Sequence, residues 1–599
     1  MELSVSPQSL DRIRTQLRSV LASGPFASAD RMRRFLEFVV EHKLTSPDKP
    51  LKELTIGMEL YAADFDPRLT AVVRVDAARL RAKLREYYGS EGAADKLIIE
   101  LPKGSYTPVF REGSTGPNSP LAATASSEPS IAVLPFSNLS PEPEDYFSDG
   151  LTEEIIHALS SAEGIRVVAR TSTFALKYKN ADVREVGRAL NVGFILEGSV
   201  RKSKNALRVT AQLVSTSDGY QLWSRRYDRQ IDDVFAVQDE IASSIAGALR
   251  AANTPILGKV SPVSSTGDFG AYEWYLRGRY HLNRQTRESL HKAIECFEQA
   301  LRRSPKYAPA FSGMAVAWLY LGMFAMDPPV DTMPKARQAA TRALEINEHE
   351  GEALSIAASC KAMFEWDWSG AEALFWEALQ SPSGSDISHH LFAMFVLLPT
   401  ARIEEALTMI DEAKRIDPLS LFVSASNTAI LLMARRTTEA EVEIRRALEL
   451  DPFFWRAIVA MGRCHEAQER YDEAIVCYEQ AKTFSDNVPS AIGALGRAYA
   501  LAGRTKDAHR LLEELDDLAR RRYVSPYGRA LIYLGLNDDR VFDWLDCSCN
   551  ERAGWLMYLA TDPRFHPLRR DPRFRSLLQR LGLPVIAYPT SPRTRRSRV

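Results

Sequence analysis

The sequence predicts a multidomain chain in three parts: an N-terminal α+β domain over residues 1–112, a middle mixed-sheet α/β domain over residues 129–252, and an all-α superhelix of stacked helix pairs over residues 268–584. Three observations carry this reading. A basic amphipathic stretch, Val72–Tyr88, precedes two short runs of strand character. Strand-like and helical segments alternate after residue 129 and then give way to a meander, the order of a mixed sheet. Past residue 268 the chain comes to repeat itself every 34 residues, which is how an array of like helical units is written in sequence.

In the first domain, helices are expected over residues 7–22, 29–43 and 50–61. Each has apolar residues at helical spacing (Leu10, Ile13, Leu17; Met32, Phe35, Leu36, Val39; Leu51, Leu54, Met58), with Pro-, Gly- and Asp-rich breakers between them. Val72–Tyr88 reads VVRVDAARLRAKLREYY and carries an apolar stripe of Val73, Ala77, Leu80, Leu84 and Tyr87. At about 100° per residue, Arg74, Arg81 and Arg85 share one flank, with small Ala78 and Ala82 beside them, while Arg79 and Lys83 take the other. From Arg68 to Arg85 six basic side chains stand against one acid, Asp76. Such a face is either a solvated surface or a surface for a polyanion. For Arg79 and Lys83, pairing with Asp76 or Glu86 is the plainer reading. Leu97–Leu101 and Tyr106–Phe110 then flank a tight PKGS turn, a hairpin with Lys103 at its tip.

Helices ending in a basic member, followed by a hairpin, have the layout of a winged helix-turn-helix, in which the last helix enters the major groove and the wing touches phosphates. The segment VRVDAARLRAKL (Val73–Leu84), followed by a strand, Gly104 and Tyr106, resembles the C-terminal half of the OmpR/PhoB-type effector domain. It departs from that pattern in having one wing glycine and a helical opening where the family opens with strands. The resemblance implies double-stranded DNA as partner. It puts Arg74, Arg81 and Arg85 on the DNA-facing flank, lets the backbone approach closely at Ala78 and Ala82, and makes Lys103 the wing's phosphate contact.

Residues 113–128, within REGSTGPNSPLAATASSEPS, lack large apolar side chains and are expected to tether the first domain to the second. CadC-like regulators, which have a similar front end, carry a transmembrane helix near this position. No apolar run of that length stands here or elsewhere in the chain, and the N-terminus lacks a secretion signal's apolar core, so a cytoplasmic location is expected. Six cysteines in 599 residues fit reduced thiols, and Cys547-x-Cys549 has no second pair at zinc spacing. The net charge of −1 leaves any attraction for nucleic acid to a local patch.

In the middle domain, strands are expected at Ser130–Phe136, Ile165–Ala169, Phe194–Arg201, Leu207–Val214 and Tyr220–Tyr227, with helices near 151–161, 183–190 and 234–250. The segments IAVLPFSNLSPEPEDYFSDGLTEEI, GIRVVARTSTFALK, ILEGSVRK, VTAQLVSTSDGYQLWSRRYD and DVFAVQDEIA resemble the TolB-N-terminal-like (FlgO-like) domain. That likeness implies no established chemistry. Asp145, Asp149, Glu153 and Glu154 gather where the first strand hands over to its helix, the usual ligand crevice of an α/β sheet. Acids early in a helix also suit its dipole, and Asp149 or Thr152 is placed to cap it, so a structural role is preferred to a metal or ligand site. No phosphate-cradling glycine loop follows the first strand.

In the last region Ala406, Ala440, Ala474 and Ala508 stand 34 apart, as do Ile410, Ile444 and Tyr478, then Ala413, Ala447 and Ala481, then Pro418 and Pro452, and Gly462 and Gly496. These are tetratricopeptide repeats, with small residues where two helices cross, a large one in the next gap and proline after the second helix. Ala293, Phe297, Ala300 and Pro305 continue the pattern upstream, as do Ala371, Phe375 and Ala378, for seven or eight repeats. DPRFHPLRRDPRFRSLLQRLGLP resembles a polar cap, and residues 585–599 form a basic tail. The array suits a protein or peptide partner, with Trp318, Trp366, Trp368, Trp376 and Trp455 as possible anchors, although aromatics at helical spacing more often pack in cores. His389 and His390 have no neighbouring acid or cysteine pattern for a catalytic set. No cofactor, metal, membrane or catalytic role is expected.

The sequence therefore points to a DNA-binding transcription regulator in which the array takes a protein partner. The rival readings are a scaffold that does not bind DNA and a component linked to nucleotide-cyclase signalling without its own catalytic domain.

Overall fold

The computed structural model describes residues 7–27, 29–45, 51–61, 97–101, 106–112, 129–141, 145–162, 164–177, 182–203, 205–251, 266–381, 385–485 and 487–586, and residues 73, 76, 77, 80, 83, 84, 87, 88, 91, 92 and 95. By its internal contacts the chain divides into two compact units, Met1–Ala125 and Ser126–Val599.

In the first unit, helices Pro7–Ala22, Gly24–Ala27, Asp30–Thr45 and Glu53–Leu60 precede helical residues between 73 and 88 and an antiparallel hairpin of β1 (Leu97–Glu100) and β2 (Val109–Glu112). The apolar stripe Val73, Ala77, Leu80, Leu84 and Tyr87 is buried, as its spacing requires, against Ile13, Leu17, Phe35, Val39 and Ile56. The second strand begins three residues later than Tyr106, with Glu100 facing Val109. Pro108 has no N–H to give the ladder, so pairing starts just after it.

In the second unit, β3 (Ser130–Val133), β4 (Ser137–Asn138), β5 (Arg166–Val167), β6 (Phe194–Ser203), β7 (Ala206–Ser215) and β8 (Gln221–Gln230) form one mixed sheet. The order is β5-β3-β6-β7-β8, with β4 beside β6. β3 runs parallel to β5 and β6, and the last three strands are antiparallel. The single strand expected over 130–136 is two, because the chain leaves the ladder around Pro135 and rejoins it at Ser137. The second expected strand shrinks to Arg166–Val167 and leads into a short helix, Arg170–Phe174, that periodicity does not reveal. Helices Tyr146–Ser160 and Val234–Ala251 contribute Leu151, Ile155, Val237 and Ile241 to the core over one face, and Val183–Leu190 covers Ala132 and Ile195 on the other.

Eight helix pairs follow among the described residues, from Phe269–Leu282 with Arg287–Arg303 to Tyr527–Leu536 with Val541–Asn550. Ala406, Ala440, Ala474 and Ala508 are fully buried at the crossings. At Gly462 a Cβ would lie 2.6 Å from the Tyr478 ring, which explains why a small residue and a large one recur together. Two 3₁₀ turns, Gly554–Tyr558 and Pro563–Leu568, and helix Pro572–Arg580 end the array. Among the described residues no helix is long and apolar enough to cross a membrane.

Candidate functional site

On the N-terminal unit, Arg74, Ala78, Arg79, Arg81, Ala82, Arg85 and Lys103 lie outside the described residues. Lys83 is described and half-buried. Asp76, expected to balance Arg79 or Lys83, is buried. It accepts the Tyr61 hydroxyl proton at 2.6 Å and pairs with Arg31 Nε at 2.6 Å. The acid in this basic stretch thus ties its helix to Asp30–Thr45 and to the end of Glu53–Leu60. A cavity of about 310 Å³ lined by Arg31, Arg34, Leu60 and Tyr61 lies beside this anchor.

The four acids of the middle domain are spent on structure. Lys177 Nζ bridges Asp145 at 3.0 Å and Asp149. Glu153 meets Arg170 at 2.9 Å and accepts from Arg279 Nε at 2.8 Å, and the other side of Arg279 reaches Glu352 at 3.0 Å. One guanidinium therefore fastens the middle domain to the first and third helix pairs. Burial raises the Glu153 pKa, but Arg279 and Arg170 outweigh it and hold the carboxyl below its ordinary value. Among the described residues Glu154 has only the Tyr275 hydroxyl at 3.2 Å, and burial, reinforced by the charge of Glu153, pushes it up to about 7. Neither Asp149 nor Thr152 caps the helix: its N-cap is Asp145, without a side-chain bond, and Thr152 Oγ1 accepts the Phe136 N–H at 3.0 Å. A second fastening joins Arg170–Phe174 to the fourth pair, where Ser172 donates to Asp417 and accepts from Leu419 N, and Ala169 N donates to Ile416 O at 3.0 Å. Among the described residues no group of three His, Cys, Asp or Glu is placed to hold a metal ion.

The segment after the last pair folds back against earlier pairs. Trp368 Nε1 donates to Leu581 O at 2.9 Å, Arg552 stacks 3.7 Å over the Trp366 ring, and Thr561 reaches Met433 Sδ at 3.5 Å. Asp562 pairs with Arg564 at 2.6 Å and with Arg463 at 3.5 Å. Phe565 and Phe574, read from sequence as part of a polar cap, are fully buried. Two of the possible anchors, Trp366 and Trp368, are therefore occupied by the chain itself.

Of the five tryptophans considered as anchors, Trp366 and Trp368 hold this returning segment, and Trp318 lies under Lys335 at 4.4 Å. Trp376 remains 43% exposed. Trp455 stacks on Arg456, whose guanidinium also lies 4.1 Å over Phe324, from the end of the second pair's first helix. Sequence reading missed this cluster because its members are separated by more than a hundred residues. His390 is bonded to Ser426 at 2.7 Å, and burial pushes its pKa down to about 4, so it stays neutral.

Comparison with known proteins places these features. Residues 126–244 match the family described as HilA/YgeH-like transcriptional regulator, second domain, and residues 457–487 match a tetratricopeptide repeat. The chain is 42% identical over 192 residues to Putative adenylate cyclase 3 of Rhizobium meliloti, a match that takes in 32% of each chain. It is 24% identical over 295 residues to Transcriptional regulator HilA of Salmonella typhimurium, covering 48% of this chain and 51% of that one. The matches thus span a third to a half of these relatives. Among solved structures, a human IFIT1 dimer with m7Gppp-AAAA aligns at a TM-score of 0.39 and 14% identity, over 59% of this chain and 81% of that one. The chain is multidomain and mostly helical, with a middle mixed sheet and a tetratricopeptide region.

Proposed function

We propose that this chain is a DNA-binding transcriptional regulator whose repeat array receives a protein or peptide partner. One observation carries the reading: a stretch matched as the second domain of a HilA/YgeH-like transcriptional regulator stands between a helical unit ending in a hairpin and a tetratricopeptide array. Under this proposal the N-terminal unit is a winged helix of the OmpR/PhoB, CadC-like type, acting in the cytoplasm. Arg74, Arg81 and Arg85 face DNA, Ala78 and Ala82 admit the backbone, Lys103 takes a wing phosphate, and Arg79 and Lys83 lie alongside. The middle TolB-N-terminal-like domain is an adaptor without chemistry of its own, since its acids are committed to Lys177, Arg170, Arg279 and Tyr275.

The test is an electrophoretic shift of the full chain on fragments of its own promoter region, across salt concentrations. Changing Arg81 and Arg85 to Ala should weaken binding at least tenfold and lower the salt slope by about 2, one for each lost phosphate contact. Binding indifferent to both changes, or no shift at low salt, would remove the DNA reading. In that case a scaffold tied to nucleotide-cyclase signalling is favoured, by the 42% identity to a protein named as an adenylate cyclase.

A further inference from the structure

In a regular helical array each unit touches only its neighbours. Here Phe324, from the second pair, reaches Phe422 of the fifth pair at 6.4 Å between ring centroids and Arg456 of the sixth. The Arg456 guanidinium is enclosed by three rings, Phe324 at 4.1 Å, Trp455 at 4.4 Å and Phe422 at 5.1 Å. It has no carboxylate partner among the described residues, and burial pushes its pKa down to about 10. Several other partly or fully buried arginines of the array reach an acid: Arg279 reaches Glu352, Arg497 Glu466, and Arg564 Asp562.

Two further aromatic contacts involve the fifth and sixth pairs. Phe422 meets Phe454 edge-on at 5.2 Å, and Phe453 meets Phe484 at 5.2 Å. Phe453 is 67% exposed and Phe484 45%, while Arg456, Phe422 and Trp455 are half-buried and so reachable from solvent. Arg456 lies about two turns before Arg463 on the same face of helix Trp455–Ala467, and Arg463 is one of the residues that hold the returning C-terminal segment, so the cluster lies about 10 Å along that face from the segment.

We propose that the ridge formed by Phe324, Phe422, Trp455 and Arg456 is the docking surface for a protein segment that presents a carboxylate between apolar side chains. The proposal rests on the reading that the array receives a protein partner, and it says where and by what chemistry. Charge decides the occupant. A desolvated guanidinium without an acid is costly to keep, and facing rings offset only part of that cost. An incoming carboxylate would complete a charge-assisted pair in a partly dry site, and aromatic rings around an arginine are the usual make-up of an interface hot spot. A mere strut between the second and sixth pairs would be served by a methionine or leucine with no charge to desolvate.

The experiment pans a display library of random 12-residue peptides against the full chain and measures the enriched peptides by fluorescence anisotropy on the wild type, Arg456→Gln and Arg456→Lys. Peptides carrying Asp or Glu between apolar residues should be enriched, should bind Arg456→Gln at least tenfold more weakly, and should bind Arg456→Lys at an intermediate level. Changing the peptide's acid to its amide should cost the wild type the same tenfold and cost Arg456→Gln nothing more. If Arg456→Gln does not fold, the lysine variant and the amide peptide carry the test. Enriched peptides without an acid, or peptides indifferent to the changes at residue 456 and to the amide swap, would overturn the ridge as the site and leave the array as a receptor. An absence of enrichment would count against both.

Discussion

Replacing Glu154 with Gln should stabilise the second unit, and by an amount that depends on pH. The Glu154 carboxyl lies between the middle domain and the first helix pair. Among the described residues it accepts only from Tyr275, at 3.2 Å, and burial, followed by the neighbouring Glu153 charge, raises its pKa from 4.5 to about 7. A raised carboxyl means that the unfolded chain gives up this proton first as pH rises. The folded state therefore loses stability from pH 4.5 upward and loses no more from this group above pH 7. Between those limits the loss is about 3 kcal/mol, at roughly 1.4 kcal/mol per pH unit of separation. Glutamine keeps the Tyr275 bond through its amide oxygen and removes the titration. Thermal unfolding of the full chain at pH 5 and pH 8 should show wild type and Glu154→Gln melting together at the lower pH, with the variant higher by a few degrees at pH 8. A variant that melts below wild type at pH 8 would mean that Glu154 is charged and paired at neutral pH, and the argument would fail.

Two further perturbations bear on the array. Trp368→Phe keeps the ring but loses the bond to Leu581 O, worth about 1 kcal/mol, so amide exchange over Pro572–Arg580 should speed up about fivefold; unchanged exchange would show that the bond does not hold the segment. Gly493→Ala would set a Cβ 2.7 Å from Gly528 Cα, backbone against backbone, where nothing flexible gives way. A loss of about 1–3 kcal/mol in urea unfolding is expected, and a neutral result would mean that the seventh and eighth pairs have room to part.

The parts of the fold that were legible in the sequence are those whose contacts are local. The 34-residue step of Ala406, Ala440, Ala474 and Ala508 marks crossings between helices adjacent in the chain, and all four are buried there. The stripe from Val73 to Tyr87 is likewise a local pattern with a local consequence. Strands are shorter than their apolar runs where a proline has no N–H for the ladder, at Pro108 in the hairpin and Pro135 in the first strand of the large sheet. What periodicity does not encode is partnership at long range. A structural role is the preferred reading of Asp149, Glu153 and Glu154 from sequence, yet the partners of the latter two, Arg279 and Tyr275, lie more than a hundred residues on and are not legible there. The cage around Arg456 and the burial of Phe565 and Phe574 were hidden for the same reason, since charge and aromatic character say nothing of which distant pair will be met.

The return of the C-terminal segment changes how the array can come apart. A straight stack of repeats has two loose ends and can open from either like a zipper, because each unit leans only on its neighbours. Here the stretch beyond the eighth pair is clasped to the third at Trp368, 213 residues upstream, to the fifth at Met433 and to the sixth at Arg463. The last unit cannot fray without unfastening a distant one. A gradual ladder of partly melted forms gives way to one cooperative block, and the zipper has become a buckle.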